Sequence, residues 1–246
     1  MINQQRTINQ FLDLVRIDSE TKHERVICDA LKRIFLGFGM NVHEDDSASR
    51  TGHGAGNLII DWAPSRGKEQ VDPIFFTCHM DTVVPGRGIK PQVDEDGYIR
   101  SDGTTILGSD DKAGLAAIIE AVRAVEENGI AHGPIQFIIT AGEESGLVGA
   151  RAMDASQLKA RYGFALDSNG KVGEIAVAAP AQAKLFIHII GRSAHAGVNP
   201  EDGISAIQVA SKAISKMPLG RIDHETTANI GSFKAAKRRI SSAKKY

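Results

Sequence analysis

Apolar residues recur at two different spacings along this chain, and the alternation predicts its architecture. Residues 3–15 read as a helix with Ile8, Phe11 and Leu14 on one face. Thr21 and Glu24 have the spacing of a capping box. The helix they would open carries Val26, Ile27, Ala30, Leu31 and Ile34 as its buried stripe and stops at Gly37 and Gly39. Short strands follow at residues 40–43 and 58–62. Residues 73–78, Pro-Ile-Phe-Phe-Thr-Cys, form a continuous apolar run that suits a strand buried on both faces. Asp94-Glu95-Asp96-Gly97 is a turn between two short strands. A long helix is expected at 110–128, with Ala113, Ala116, Ile119 and Val122 inward and Gly129 as its stop. Strand 135–140, helix 147–153 and strand 162–166 complete the series. Strands alternating with helices predict an α/β fold, a three-layer α/β/α sandwich.

After residue 179 the texture changes. Residues 184–190 alternate like a half-exposed strand, 201–217 like an amphipathic helix, and 226–233 like a second strand. This β-α-β pattern predicts a second, smaller domain, with residues 1–179 as the first and 180–233 as the second.

Composition changes the picture little. A chain of 246 residues with 42% hydrophobic and 24% charged residues is an ordinary soluble globular sequence. The formal net charge of −1 predicts no polyanion partner. The distribution is uneven, however. Residues 234–246 hold six lysines and arginines and no acid, which leaves residues 1–233 with 23 basic and 30 acidic groups. Cys28 and Cys78 are far apart and form no metal-type pair, as expected of free thiols in a reducing compartment. No apolar run reaches spanning length, and the N-terminal residues lack the pattern of a secretion signal, so the cytoplasm is the expected location. Neither a nucleic-acid nor a membrane partner is expected.

Chemistry gathers at the expected strand ends. His79-Met80-Asp81 follows the run 73–78, Asp110-Asp111 opens the long helix, Glu143-Glu144 follows strand 135–140, and Asp167 follows strand 162–166. Alone, each has an ordinary explanation: a core histidine, a helix N-cap, a solvated loop, a turn. Jointly they predict one crevice at the carboxyl ends of the strands, where α/β sheets bind their ligands. One histidine among several carboxylates suits zinc or a similar divalent ion. Two adjacent glutamates allow one to bind metal while the other acts as a general base.

The ordered set His79-Met80-Asp81-Thr82 with Val83-Val84-Pro85-Gly86, Gly108-Ser109-Asp110-Asp111-Lys112-Ala113-Gly114 and Thr140-Ala141-Gly142-Glu143-Glu144-Ser145-Gly146 resembles the di-zinc exopeptidases of the peptidase T type. That family also includes aminoacylases and carboxypeptidase G. The resemblance runs from about residue 8 to residue 233 and implies a catalytic domain carrying an inserted α+β lid and dimerisation domain. It implies two zinc ions per subunit. His79 and Asp167 would bind the first, Glu144 the second, and Asp110 would bridge them. Asp81 would fix the His79 ring by accepting from its other nitrogen, and Glu143 would be the general base and acid. His195, in Gly191-Arg192-Ser193-Ala194-His195-Ala196-Gly197, resembles the lid histidine that reaches a substrate across a homodimer. The implied reaction is hydrolysis of short peptides, as by an aminopeptidase or tripeptidase. The alternatives are an N-acyl amino acid amidohydrolase and a non-catalytic fragment.

The resemblance stops after Phe233. The family leads one to expect something like Gly-Gly-x-Ala-Thr-Asn-Ile-Val beyond the segment at 227–233, and later one more histidine ligand. Loss of one base from a run of A after the Phe233 codon would convert such a reading into Lys234-Ala235-Ala236-Lys237-Arg238-Arg239-Ile240. The sequence therefore predicts a frameshifted, C-terminally truncated chain with an aberrant basic tail. Weak metal binding, aggregation and little peptidase activity are expected of it.

Overall fold

The structure is a computed structural model, and it describes residues 1–179 and 181–235. Most of the basic tail at 234–246 lies outside the described residues. By its internal contacts the chain divides into two compact units, Met1–Val172 and Gly173–Tyr246.

The first unit is built on a five-stranded mixed sheet. Its strands are β1 (Asn41–Glu44), β2 (Leu58–Trp62), β3 (Ile74–His79), β6 (Ile135–Thr140) and β7 (Gly163–Ala165), with β4 (Gln92–Val93) and β5 (Ile99–Arg100) forming a separate hairpin. The sheet order is β1-β2-β6-β3-β7. β1, β2 and β6 pair antiparallel, whereas β3 runs parallel to both β6 and β7. The parallel trio points its three carboxyl ends the same way.

Register puts one apolar set on one face. Leu58 lies opposite Ile139, Ile60 opposite Phe137, and Phe76 opposite both Phe137 and Phe164. Trp62, Phe137, Phe76 and Phe164 make a row of rings across four strands, with successive centroids 5.7–6.3 Å apart. Helices α1 (Gln4–Val15), α2 (Arg25–Gly37) and α4 (Ser109–Glu127) cover this face, and their buried residues join one core with it. The opposite face buries Ile59, Ile138 and Gln136. Gln136 donates to the Gln157 carbonyl and accepts from the Lys159 amide, so the chain after α5 (Val148–Ala152) closes that side. The short helix α3 (Ser47–Thr51) packs on α5.

Several expectations need correction. The box at Thr21 and Glu24 does not form. Helix α2 starts at Arg25, and the buried Glu24 carboxylate instead accepts from the amides of Lys22 and Gly54. The inward stripe of α2 is Ile27, Cys28, Leu31 and Phe35, while Val26 is exposed. Ile34 still packs against the core, so the stripe is turned slightly toward Cys28 and Phe35 and away from Val26. In α4, Ala113 faces solvent, and Leu115, Ala116, Ile119 and Val122 pack inward. β3 is only half-buried over Ile74–Thr77, since its neighbour β7 is short and exposed.

Charge also anchors this unit from inside. On α4, Glu120 is buried and accepts from the Asn3 amide and from the Arg6 guanidinium, tying α1 to α4. Lys112 is buried too, its ammonium donating to the Ile17 carbonyl at 2.8 Å. Burial pushes its pKa down to about 8.

The second unit holds less regular structure than expected. Among its described residues, 184–190 form no strand, and Leu185, Phe186, Ile187 and Ile190 are exposed. The expected long helix is a turn of 3-10 helix at Pro200–Asp202 followed by α6 (Ala206–Ile214), capped by Ser205 on the Gln208 amide. The last expected strand shrinks to β9 (Thr227–Ala228), paired antiparallel with β8 (Gly220–Arg221). Alternating apolar residues make a strand only where a partner covers their face, and no such cover is present among the described residues.

Two predictions follow from the packing. Phe137→Ala removes the central ring of the row and should cost about 3–5 kcal/mol, read from the shift of a urea unfolding midpoint. Glu44 accepts from Arg25, Lys32 and the Gly56 amide. Burial alone would raise its carboxyl, but these partners hold it down at about 2. A lowered acid pKa stabilises the fold above the unfolded value, near 4.5, and that share is lost as pH falls toward 2. Glu44→Gln should flatten unfolding stability across that window.

Candidate metal and catalytic site

The parallel trio brings the expected residues together. His79 is the last residue of β3, Glu143 and Glu144 follow β6 by three and four residues, and Asp167 follows β7 by two. Asp110 arrives from the start of α4. It and Asp111 lack helical backbone angles, and the peptide between them is cis. The two aspartates point in different directions. Asp110 is exposed toward the crevice, whereas Asp111 is buried and accepts from the His79 amide at 3.3 Å.

The imidazole of His79 is at the centre. Its Nε2 lies 2.8 Å from Asp110 Oδ1 and 3.8 Å from Asp167 Oδ2. One ligand atom each from His79, Asp110 and Glu144 falls within 4.8 Å of the others. Nδ1 lies 2.9 Å from the Asp81 carbonyl, which fixes it as the protonated nitrogen and aims Nε2 at the carboxylates.

Asp81 therefore acts differently from its expected part. Its carboxylate Oδ1 stays 3.5 Å from Nδ1, long for a hydrogen bond but close enough for its charge to act. The two carboxylate oxygens instead accept the amides of Glu143 at 3.0 Å and Glu144 at 3.2 Å. Asp81 thus orients the histidine through its backbone carbonyl and the glutamate pair through its wholly buried carboxylate. Burial alone would raise the Asp81 carboxyl, but His79, the Glu143 amide and the Thr21 hydroxyl hold it below its ordinary value.

The electrostatics are those of a cation site. Among the described residues, His79 is the only cation in ion-pair contact with Asp110 or Asp167, and none pairs with Glu143 or Glu144. Burial and neighbouring carboxylates raise Glu143, Glu144 and Asp167 above their ordinary values, with His79 acting in the opposite direction. Burial would lower His79, but Asp81 and Asp110 raise it to about 10. A proton on Nε2 occupies the position from which the ring would coordinate a metal.

Three further residues contribute in ways that local sequence spacing does not indicate. Asp111 was grouped with Asp110 but faces inward. Thr21 places its hydroxyl 2.7 Å from that of Ser145, beside the glutamate pair. His53 packs its ring against Gly142, and its Nε2 is buried without a hydrogen-bond partner among the described residues. Each lies far along the chain from the residue it touches, so no local spacing could signal it.

His195 lies in the second unit. It is exposed in a tight turn, where its Nδ1 accepts from the Gly197 amide and its carbonyl accepts from the Asn199 amide.

Residues 75–236 match peptidase family M20/M25/M40, a stretch that includes all six residues brought together around the crevice. The chain belongs to this family. It is 64% identical over 233 residues to the uncharacterized protein YqjE of Bacillus subtilis, covering 95% of this chain and 62% of that protein. It matches the crystal structure of aminopeptidase PepT from Bacillus cereus with a TM-score of 0.82 at 57% identity, covering 97% of this chain and 63% of that one. A tripeptidase structure from Staphylococcus aureus gives 0.85 at 46% identity, with coverages of 97% and 63%. The chain thus spans less than two thirds of the length of these relatives.

For this M20 chain, the turn after β6 supplies a direct test of the site geometry. Gly142 has φ +65°, and a Cβ there would meet Val148 at 2.5 Å and the His53 ring at 2.7 Å. Gly142→Ala should cost more than about 1 kcal/mol in thermal unfolding and loosen the glutamate pair.

Proposed function

We propose that this chain carries the catalytic machinery of a zinc-dependent peptidase acting on short peptides, of the aminopeptidase or tripeptidase kind. The observation that carries the reading is the convergence of His79, Asp110 and Glu144 on one small volume, with Glu143 beside them. The donor set suits zinc: a neutral imidazole nitrogen, several carboxylates and an excess of negative charge. His79 and Asp167 would hold one ion and Glu144 another, with Asp110 between them and a further ligand completing the second. When bound, zinc polarises a carbonyl oxygen and makes a water molecule easier to deprotonate.

The chain's own residues would do the rest. Glu143 takes a proton from water on its carboxylate and returns it to the departing amine nitrogen. Its pKa is raised by burial, which suits a group that must both take and give a proton. Asp81 holds Glu143 and Glu144 by their amides and His79 by its backbone carbonyl. In this reading residues 1–179 are the catalytic domain, and 180–233 belong to a lid through which two chains pair. His195 would reach the substrate's developing oxyanion. The names of the matched structures, an aminopeptidase and a tripeptidase, support the substrate class. The two buried free thiols, Cys28 and Cys78, support a cytoplasmic setting.

The test is zinc stoichiometry by metal analysis together with tripeptide hydrolysis. Zinc uptake is expected, with His79→Ala losing it. Glu143→Gln should keep zinc yet lower kcat by about 10²–10⁴-fold. A chain that takes up no zinc, or a Glu143→Gln variant as fast as the parent, would overturn the proposal.

A further inference from the structure

We propose that Thr21 and Ser145 form a positioning pair, a hydroxyl clip that holds the Glu143–Glu144 turn in register with the end of β3. This rests on the roles given above to Glu143 and Glu144.

The turn is fixed unevenly. At its start, Gly142 is boxed between the His53 ring and Val148. In its middle, the amides of Glu143 and Glu144 are held by Asp81. At its far end the chain reaches the surface, and Ser145 is exposed. There the Ser145 hydroxyl meets Thr21 Oγ at 2.7 Å, its only side-chain hydrogen bond among the described residues.

Thr21 is well placed to act as a fixed post. Its amide donates to the Thr82 carbonyl, and the Thr82 amide donates to the Ser19 carbonyl, each at 2.9 Å. Residues 19–21 therefore lie as a strap along the residue that follows Asp81, with Glu20 and Thr82 forming a parallel bridge. On the other side the chain turns at Lys22, a non-glycine residue at φ +77°. The buried Glu24 carboxylate secures that turn through the Lys22 amide, and it grips Gly54, next to His53, with its other oxygen. One short segment thus reaches both flanks of the glutamate turn: Ser145 directly, and Gly142 by way of Gly54 and His53. The hydroxyl pair is short, polar and backbone-anchored on both sides, so little freedom is lost when it forms.

The Thr21 hydroxyl also acts on the Asp81 carboxylate, the group that holds the amides of Glu143 and Glu144. The effect of Thr21 and Ser145 would come through those amides. Residues that orient metal ligands in this way commonly change metal affinity by tenfold or more. A single exposed hydroxyl pair should give less, about threefold to tenfold.

The experiment compares the parent chain with Thr21→Val, Ser145→Ala, the double variant and Thr21→Ser. Amide hydrogen exchange is followed in a peptide spanning residues 141–148 of the metal-free chain, and cobalt(II) chloride alone is titrated by calorimetry. Thr21→Val and Ser145→Ala should each speed exchange at Glu143 and Glu144 and weaken cobalt binding about threefold to tenfold. The double variant should lose no more than Thr21→Val alone, because that change already removes the contact with Ser145. Thr21→Ser should match the parent, and the thermal midpoint should stay unchanged throughout. Unchanged exchange in Thr21→Val, or fully additive losses, would overturn the clip. If the parent takes up no cobalt, the metal reading falls, while the exchange data still decide whether Thr21 holds the turn.

Discussion

Carboxylates crowded around one imidazole repel each other, and the rest of this structure can be read as the means of holding them there. Asp110, the adjacent Glu143 and Glu144, and Asp167 come from three separate stretches of chain and meet at His79, which a fourth supplies. Left alone, such groups would separate or take up protons, and burial first, then the neighbouring carboxylates, raises Glu143, Glu144 and Asp167. What resists separation is backbone. The parallel register of β6, β3 and β7 fixes three of the four approach points, and the break at the head of α4 fixes the fourth. A buried aspartate then locks the glutamate turn by its amides. A divalent ion would add the missing positive charge to a frame already assembled.

The same logic explains why the core is placed where it is. The row of rings from Trp62 to Phe164 crosses the sheet at right angles to the strands, so it resists sliding of one strand past another. A one-residue slip would send every inward side chain to the opposite face and carry His79 away from its partners. Buried charges serve a similar end at the other side of the helical layer. Glu120 and Lys112 each bind the N-terminal region to α4 through groups that cannot be left unpaired without cost.

Much of this was legible in the sequence. The strands at 58–62 and 135–140 were read to the residue, because they are bounded by clear breaks and lie in the middle of the sheet. His79 and the five acidic residues brought around it could be named, since chemistry that needs strand ends must recur right after apolar runs. Less legible was whatever depends on distant chain. Thr21 looked like a helix cap from its local spacing, yet its hydroxyl bonds Ser145, 124 residues away. A helical stripe can be drawn through Val26 or Ala113, yet both are exposed, and only the face that meets the rest of the core decides. The second unit was overread for the same reason: an alternating pattern at 184–190 specifies which residues would share a face, not that another element covers it.

The chain has a single tryptophan, Trp62. It sits at the end of β2 paired with Ile135, where β6 begins, while the glutamates follow the other end of β6. Six residues of strand, roughly 20 Å, lie between. Its emission should therefore report the packing of the sheet while remaining blind to what enters the crevice. In this molecule folding and ligand loading can be watched as two separate optical events, one from the native indole and one from any coloured ion placed in the site.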